Sequence, residues 1–442
     1  MTDLRKQAGV AEGISAGFEV FEKSLNGQSQ KPLHQVRKAA LEQLREIGLP
    51  GPKHEEYKYT QISKAFAKHF DSAYNESTAD LSTLSADSTN VSGLEANKII
   101  FVNGHYRADL SEIISDDLII MELGAAYKEH QADIDAHLGK YANKPEKDGY
   151  TAWNTAFTQE GIFIKVGKGK AIEAPVMIWY LNDASDSKPV MHTRNLVIME
   201  ENAQLKMTEW FKSAEGNVSF ANTVTEVLVN KHAVIDHYKV LEVADTAYHV
   251  GNTHFEQVAE STTNSVVIAL SGAMVRNNLN FIIDAEQCEA NMYGLYLLSG
   301  KSHVDNHTVV DHRKPNSYSN ELYKGVMDDS STGVFNGKIF VRQDAQKTNA
   351  FQSNRNILLS DKATINTKPQ LEIWADDVKC SHGATTGRLD EEQLFYLRAR
   401  GVDAETARAI LLYAFAKDVL ENIRIEALRE HLDTVIGARL GQ

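Results

Sequence analysis

Between Ile162 and Val378 the chain is built from short β-prone runs of four to eight residues, cut by Gly, Asn, Asp and Ser. Runs at 176–181, 196–199, 224–229, 234–241, 266–270 and 357–359 are of this kind, and no long 3.6-residue period interrupts them. A loose repeat recurs at their starts. A polar corner is followed by a small, a polar and an apolar residue, as in Ala203-Gln204-Leu205, Cys288-Glu289-Ala290, Ser302-His303-Val304 and Ala363-Thr364-Ile365. Ala233-Val234-Ile235 fits except at its middle position. Asparagines at 252, 264, 277, 278, 280, 291 and 306 are expected at the polar corners. So long a series of short units favours a solenoid of stacked β-turns, with a sandwich or barrel as the alternative.

The flanks read differently. Leu33, Val36, Ala40, Leu41 and Leu44 recur at helical spacing, with Gly48 as a stop and Pro50 and Pro52 barring continuation. Residues 71–97 are rich in Ser, Thr, Asn and Asp and read as a mobile connection. A short strand at 99–102 ends in the turn pair Asn103-Gly104, and 110–160 reads as mixed and mostly helical. At the other end, Asp390 with Gln393 three residues on marks a helix start, and Gly401 marks its stop. A second helix follows Asp403, with Ala407, Ile410, Leu411, Ala414 and Phe415 on one face, and a third covers 423–440. The expected organisation is a mostly helical N-terminal region with a linker (1–160), a β-solenoid core (161–383) and a C-terminal helical domain (384–442). The last domain either caps the solenoid or offers a docking surface.

A formal net charge of −14 argues against nucleic acid and anionic membrane as partners. The two cysteines, Cys288 and Cys380, make no disulfide framework, no signal peptide is evident at the N-terminus, and no apolar run is long enough to span a bilayer. A reducing cytoplasm, or its organelle equivalent, is the expected compartment.

The run from Asp376 to Gly383 carries the sharpest chemistry. In a strand, residues two apart share a face, so Cys380 and His382 would present a thiol beside an imidazole. That pair suits a soft metal such as iron, or a reactive thiol activated by its neighbour. The plain alternative is a small buried residue and a strand-end histidine. His303, Asp305 and His307 also alternate, with Asp311 and His312 following, and make a weaker metal candidate. His249 and His254 match no ligand spacing. Phosphate-cradling, dinucleotide, nucleophile-elbow and zinc-protease motifs are all missing, which points to a scaffold or binding subunit. A β-helix carbohydrate enzyme would need paired carboxylates in an open cleft and an export signal.

The residues also carry a resemblance over nearly the whole length. Val304-Asp305-Asn306, Tyr323-Lys324-Gly325, Val334 to Ile339, Ala345 to Thr348, Pro369 to Ile373, Asp376 to Gly383 and Leu394 to Gly401 resemble, in order, the SufB/SufD family of the Suf iron–sulfur cluster assembly system. Glu55 to Thr60, after Leu49-Pro50, and Phe101 to Gly104 look like its SufD branch, as does the low cysteine count. The resemblance implies a right-handed parallel β-helix between helical regions. It implies pairing with SufB through the β-helices, and docking of the ATPase SufC on the C-terminal helices at about 384–442. It implies a non-enzymatic scaffold in which Cys380 and His382 meet a nascent iron–sulfur cluster at the SufB interface. The cluster would be transient and shared, and the isolated chain would form a homodimer. An independent thiol enzyme using a Cys380–His382 dyad is the rival reading.

Overall fold

The structure is a computed structural model that describes residues 2–25, 32–51, 53–74, 78, 80–144, 146–158, 160–183, 188–216 and 218–441. Pro52 and residues 75–77 and 79 of the expected linker lie outside them. Helices α1 (Thr2–Ser24), α2 (Pro32–Ile47) and α3 (Ile62–His69) come first. Strands β1 (Asn97–Val102), β2 (His105–Tyr106) and β3 (Leu118–Glu122) follow, then helices α4 (Leu123–Glu129), α5 (Gln131–His137) and α6 (Gly149–Phe157). The β region holds β4 (Ile162–Val166), β5 (Val176–Asn182), β6 (Val190–Met199), β7 (Gln204–Ser213), β8 (Phe220–Val229), β9 (Val234–Glu242), β10 (Tyr248–Gln257) and β11 (Thr262–Ala269). It continues through β12 (Met274–Ile283), β13 (Glu289–Leu298), β14 (His303–His312), β15 (Tyr318–Met327), β16 (Thr332–Val341), β17 (Asn349–Leu358), β18 (Thr364–Ile373) and β19 (Lys379–Gly387). Helices α7 (Glu391–Ala399), α8 (Ala404–Leu420) and α9 (Glu426–Leu440) close the chain.

The strands form a parallel β-solenoid, as the short runs imply. From β4 onward, even-numbered strands stack in one sheet and odd-numbered strands in the other. Each strand pairs in parallel with the strand two further on. The step varies: Tyr248 pairs with Met274, 26 residues on, whereas Thr332 pairs with Thr364, 32 residues on. That variation is why the repeat looks loose in the sequence. The small residue before each strand is now explained. Ala203, Ala233, Cys288, Ser302 and Ala363 are all buried where the chain bends into the next strand, and a larger side chain would not fit there. Cys288 is thus a packing residue of a corner.

The expected asparagine corners are a correction. Asn252, Asn264, Asn277, Asn278, Asn280, Asn291 and Asn306 all lie within strands. Some form ladders along the stack: Asn278 donates to Asn252 at 2.7 Å and Asn291 to Asn264 at 2.9 Å. Residues with positive φ that sit between strands include Asn202, His232, Glu260, Gln287, Asn316, Asp329 and Lys347.

The lumen between the sheets is the main core, running from Ile99 and Ile162 to Ala350, with Cys380 packed at its end. The outer faces are covered unevenly. Helices α1, α3 and α6 bury the even sheet around Phe220 and Val250, and α8 and α9 bury the odd sheet around Trp179, Trp210 and Tyr238. The linker is pinned rather than mobile over its described part, because the Asp183 carboxylate accepts the backbone N–H groups of Ser82, Thr83 and Leu84 at 2.6–2.7 Å. The 118–123 run, read as part of a mostly helical stretch, supplies β3, which pairs antiparallel with β4. In α8 the buried residues are Ala407, Ala409, Leu412, Ala416, Val419 and Leu420. Of the expected face only Ala407 is among them, while Ile410 and Ala414 stay exposed. The helix is apolar nearly all round, and one side is left for something other than the solenoid. Both predicted caps form: Asp390 and Asp403 each accept two first-turn N–H groups.

Candidate functional site at the open end of the solenoid

The two sheets end on β18 and β19, each of which has a strand neighbour on one side only. Every residue of β18 is half-buried or exposed, and all of β19 is exposed except the half-buried Cys380. Earlier strands such as β8 are buried along their whole length. The far edges carry unpaired backbone N–H and C=O groups, which are a template for strand addition. No helix closes this end among the described residues.

Cys380 and His382 sit on β19, in register with Ala350 and Gln352 of β17. Ala350 and Gln352 are buried and flank the exposed Phe351, so the alternate set to which Cys380 and His382 belong faces the lumen. The expectation that the two share a face holds. Cys380 packs against the last rung of the core, and His382 is exposed at the mouth. Burial pushes the Cys380 thiol pKa up, against a smaller lowering from the Ala350 backbone. The thiol is therefore protonated at neutral pH. No hydrogen bond joins it to His382 among the described residues.

The second candidate resolves differently. His303, Asp305 and His307 do share the outer face of β14, but each is already engaged. His303 Nε2 meets Thr60 Oγ1 at 2.9 Å. Arg276 donates to Asp305 at 2.5 Å and to His307 Nδ1 at 2.7 Å. His307 Nε2 donates to Glu56 at 2.9 Å, and Lys338 and Asn336 reach the same carboxylate at 2.6 and 2.8 Å. Arg276 also donates to the Glu56 carbonyl at 2.8 Å and lies 4.3 Å from the Tyr57 ring centre. The set is a latch that fastens Glu55-Glu56-Tyr57 to the even sheet. Asp311 pairs with Arg313 and Arg342, and His312 turns inward to Ser319 at 2.9 Å. Among the described residues no group of three or more His, Cys, Asp or Glu is arranged to hold a metal ion. Sequence reading missed Arg276 and gave Glu56 no role. The signal was a charged pair inside a proline-punctuated segment, whose partner lies more than two hundred residues away.

The latch yields a test. Arg276→Met would leave Asp305 buried and unpaired, at an expected cost of about 3–5 kcal/mol. Denaturant unfolding measures it. The exposed Arg388→Met serves as control, and an equal loss there would contradict the assignment.

At the C-terminal end, Phe395 (73% exposed) and Tyr396 (57% exposed) stand out on α7. Tyr396 and Leu397 line a shallow apolar groove with Ile410 and Leu411 of α8. No described helix is long and apolar enough to cross a membrane.

Two family models match the chain. Residues 14–178 match the SufBD protein N-terminal region, and residues 180–415 match the SufBD core domain of the SUF system for FeS cluster assembly. A SufBD family protein of Synechocystis is 29% identical over 427 residues, covering 94% of this chain and 93% of the relative. The iron–sulfur cluster assembly protein SufD of Escherichia coli is 30% identical over 402 residues, covering 90% and 91%. SufD of Bacillus subtilis is 27% identical over 430 residues, covering 94% and 96%.

Proposed function

The chain belongs to the SufBD family of iron–sulfur cluster assembly proteins, and we propose that it acts there as a non-enzymatic scaffold of the SufD kind. In this reading it pairs with SufB across the open end of the solenoid and docks one SufC ATPase on its C-terminal helices. Cys380 and His382 then face the SufB subunit and contribute to holding the nascent cluster as cargo. The observation that carries the reading is the uncapped end, where two edge strands and the thiol–imidazole pair coincide.

Several features support the parts. A partner strand laid on β18 or β19 would satisfy their free backbone groups and cover Cys380 and His382. A second copy of the chain could do the same when SufB is missing, giving the expected homodimer. The α7–α8 groove, with Phe395, Tyr396 and Ile410, has the exposed aromatic character of a docking surface. Lys324 on β15 pairs with Asp418 and donates to the Phe415 carbonyl of α8 at 2.9 Å. Strain applied to α8 would therefore reach the later coils directly. ATP-driven closure of two SufC subunits would pull on these helices and open the interface. The neutral thiol, half-buried at the mouth, would release its proton to solvent on coordinating iron.

Co-expression with SufB and SufC, followed by native mass determination, tests the scaffold. The expected species has one copy of this chain, one SufB and about two SufC, the composition that the family resemblance implies. Phe395→Glu with Tyr396→Glu is expected to remove the SufC bound by this chain and leave SufB bound. A lone monomer or homodimer that ignores both partners would overturn the reading.

A further inference from the structure

We propose that Gln352 is the positioning residue for His382. The inference rests on the reading of His382 as a ligand for the cargo. Glu321, Gln352 and His382 occupy one inward-facing column of the odd sheet, each in register with the next on β15, β17 and β19. Glu321 and Gln352 are 1% and 4% exposed. Gln352 Nε2 donates to Glu321 Oε2 at 2.7 Å. Its Oε1 is buried and has no hydrogen-bond partner among the described residues.

A second observation fixes the side chain from the opposite sheet. Gly337 of β16 faces Gln352, and a Cβ built there would lie 2.3 Å from Nε2 and 2.8 Å from Cδ. The missing side chain of Gly337 is the space that Gln352 fills. The amide is held by a carboxyl on one side and by backbone across the lumen. Its free acceptor therefore stands one rung behind His382.

A buried carbonyl oxygen without a donor costs free energy, so a donor brought within reach is favoured. The nearest register neighbour with a ring N–H is His382. When a partner covers the open end and presses the imidazole inward, Oε1 accepts that N–H. This fixes which ring nitrogen carries the proton and leaves the other with its lone pair for a metal. Metal-binding histidines are oriented by such outer contacts, whose loss weakens binding by about 10–100-fold.

The test uses the assembled complex with SufB and SufC and reads iron and sulfide retained per complex. Gln352→Met is expected to lower both about tenfold. In the His382→Ala background it is expected to cause no further loss, since the amide acts through the ring. Gln352→Leu, which also lacks the acceptor, is expected to lower retention to the same extent and is the second variant should Gln352→Met fold poorly. An equal drop from Gln352→Met in both backgrounds, or none in either, overturns the inference while an effect of His382→Ala still stands. If His382→Ala is itself silent, the ligand reading fails and the positioning role goes with it.

Discussion

Acidification from about pH 6.5 to about pH 4.5 is expected to remove much of the protein's stability. Five buried histidines are chiefly responsible. Burial holds His192 down to about 3, His254, His307 and His312 down to about 4, and His249 well below its ordinary value, with the Lys239 charge adding to it. For His307 the neighbouring Arg276 charge adds to burial, and the hydrogen bond to Glu56 only partly opposes it. Each stays neutral in the fold and takes up a proton when the chain unfolds, so the unfolded state binds more protons below about pH 6.5. Stability then falls as pH falls. One group works the other way. Burial pushes Glu321 up to about 7, so the folded state holds that proton while the unfolded state releases it. With five protons gained on unfolding and one lost, four net protons at about 1.4 kcal/mol per pH unit give a slope of about 5–6 kcal/mol per pH unit.

Below about pH 4.5 the depressed carboxylates add to the loss. Burial opposes the Glu209 charge, but the His237 hydrogen bond and the Lys239 charge still hold it down to about 2. Burial likewise opposes the charge of Glu56, which His307 and Lys338 keep well below the usual carboxylate range. Typical domains have only about 5–15 kcal/mol to lose. Urea unfolding midpoints measured across this range check the slope. A midpoint that stays flat from about pH 7 to about pH 5 would show that these histidines are hydrated or already charged in the fold.

The solenoid was legible because its corners need small residues at fixed places. Ala203, Ala233, Ser302 and Ala363 mark strand starts without any alignment. Strands such as β10 and β12 were not legible as strands. Both their faces are buried, one in the lumen and one under the N-terminal helices, so period-two alternation vanishes. Their polar residues were read as corners for the same reason. Asn252 and Asn278 look like loop residues until the stack lets their amides bond one another. Of the candidate site, the shared face of Cys380 and His382 followed from strand geometry alone. Gln352 did not, because its relation to His382 exists only once β17 and β19 are in register. Which α8 face packs on the solenoid was not legible, because Ile410 and Leu411 are as apolar as the residues that do. Only the contacts with the odd sheet tell which side is spoken for.

The central claim is that Cys380 and His382, at the uncapped end of the solenoid, hold cargo at an interface with SufB. Their removal carries the second large expected effect. Neither side chain anchors the core: Cys380 is half-buried on the terminal rung and His382 is exposed. Truncation should therefore leave folding and subunit assembly intact. Each loses a donor that the cluster needs while the other subunit's donors remain. A drop of at least about tenfold per variant is expected, in line with the loss of a directly bonding or orienting group. The direct measurement is iron and sulfide content of the complex of this chain with SufB and SufC, purified with Cys380→Ala and separately with His382→Ala, at unchanged subunit stoichiometry. The account predicts intact complexes that retain little of either element. Intact complexes carrying wild-type iron and sulfide with both variants would contradict it, and would leave the open end as a purely structural interface.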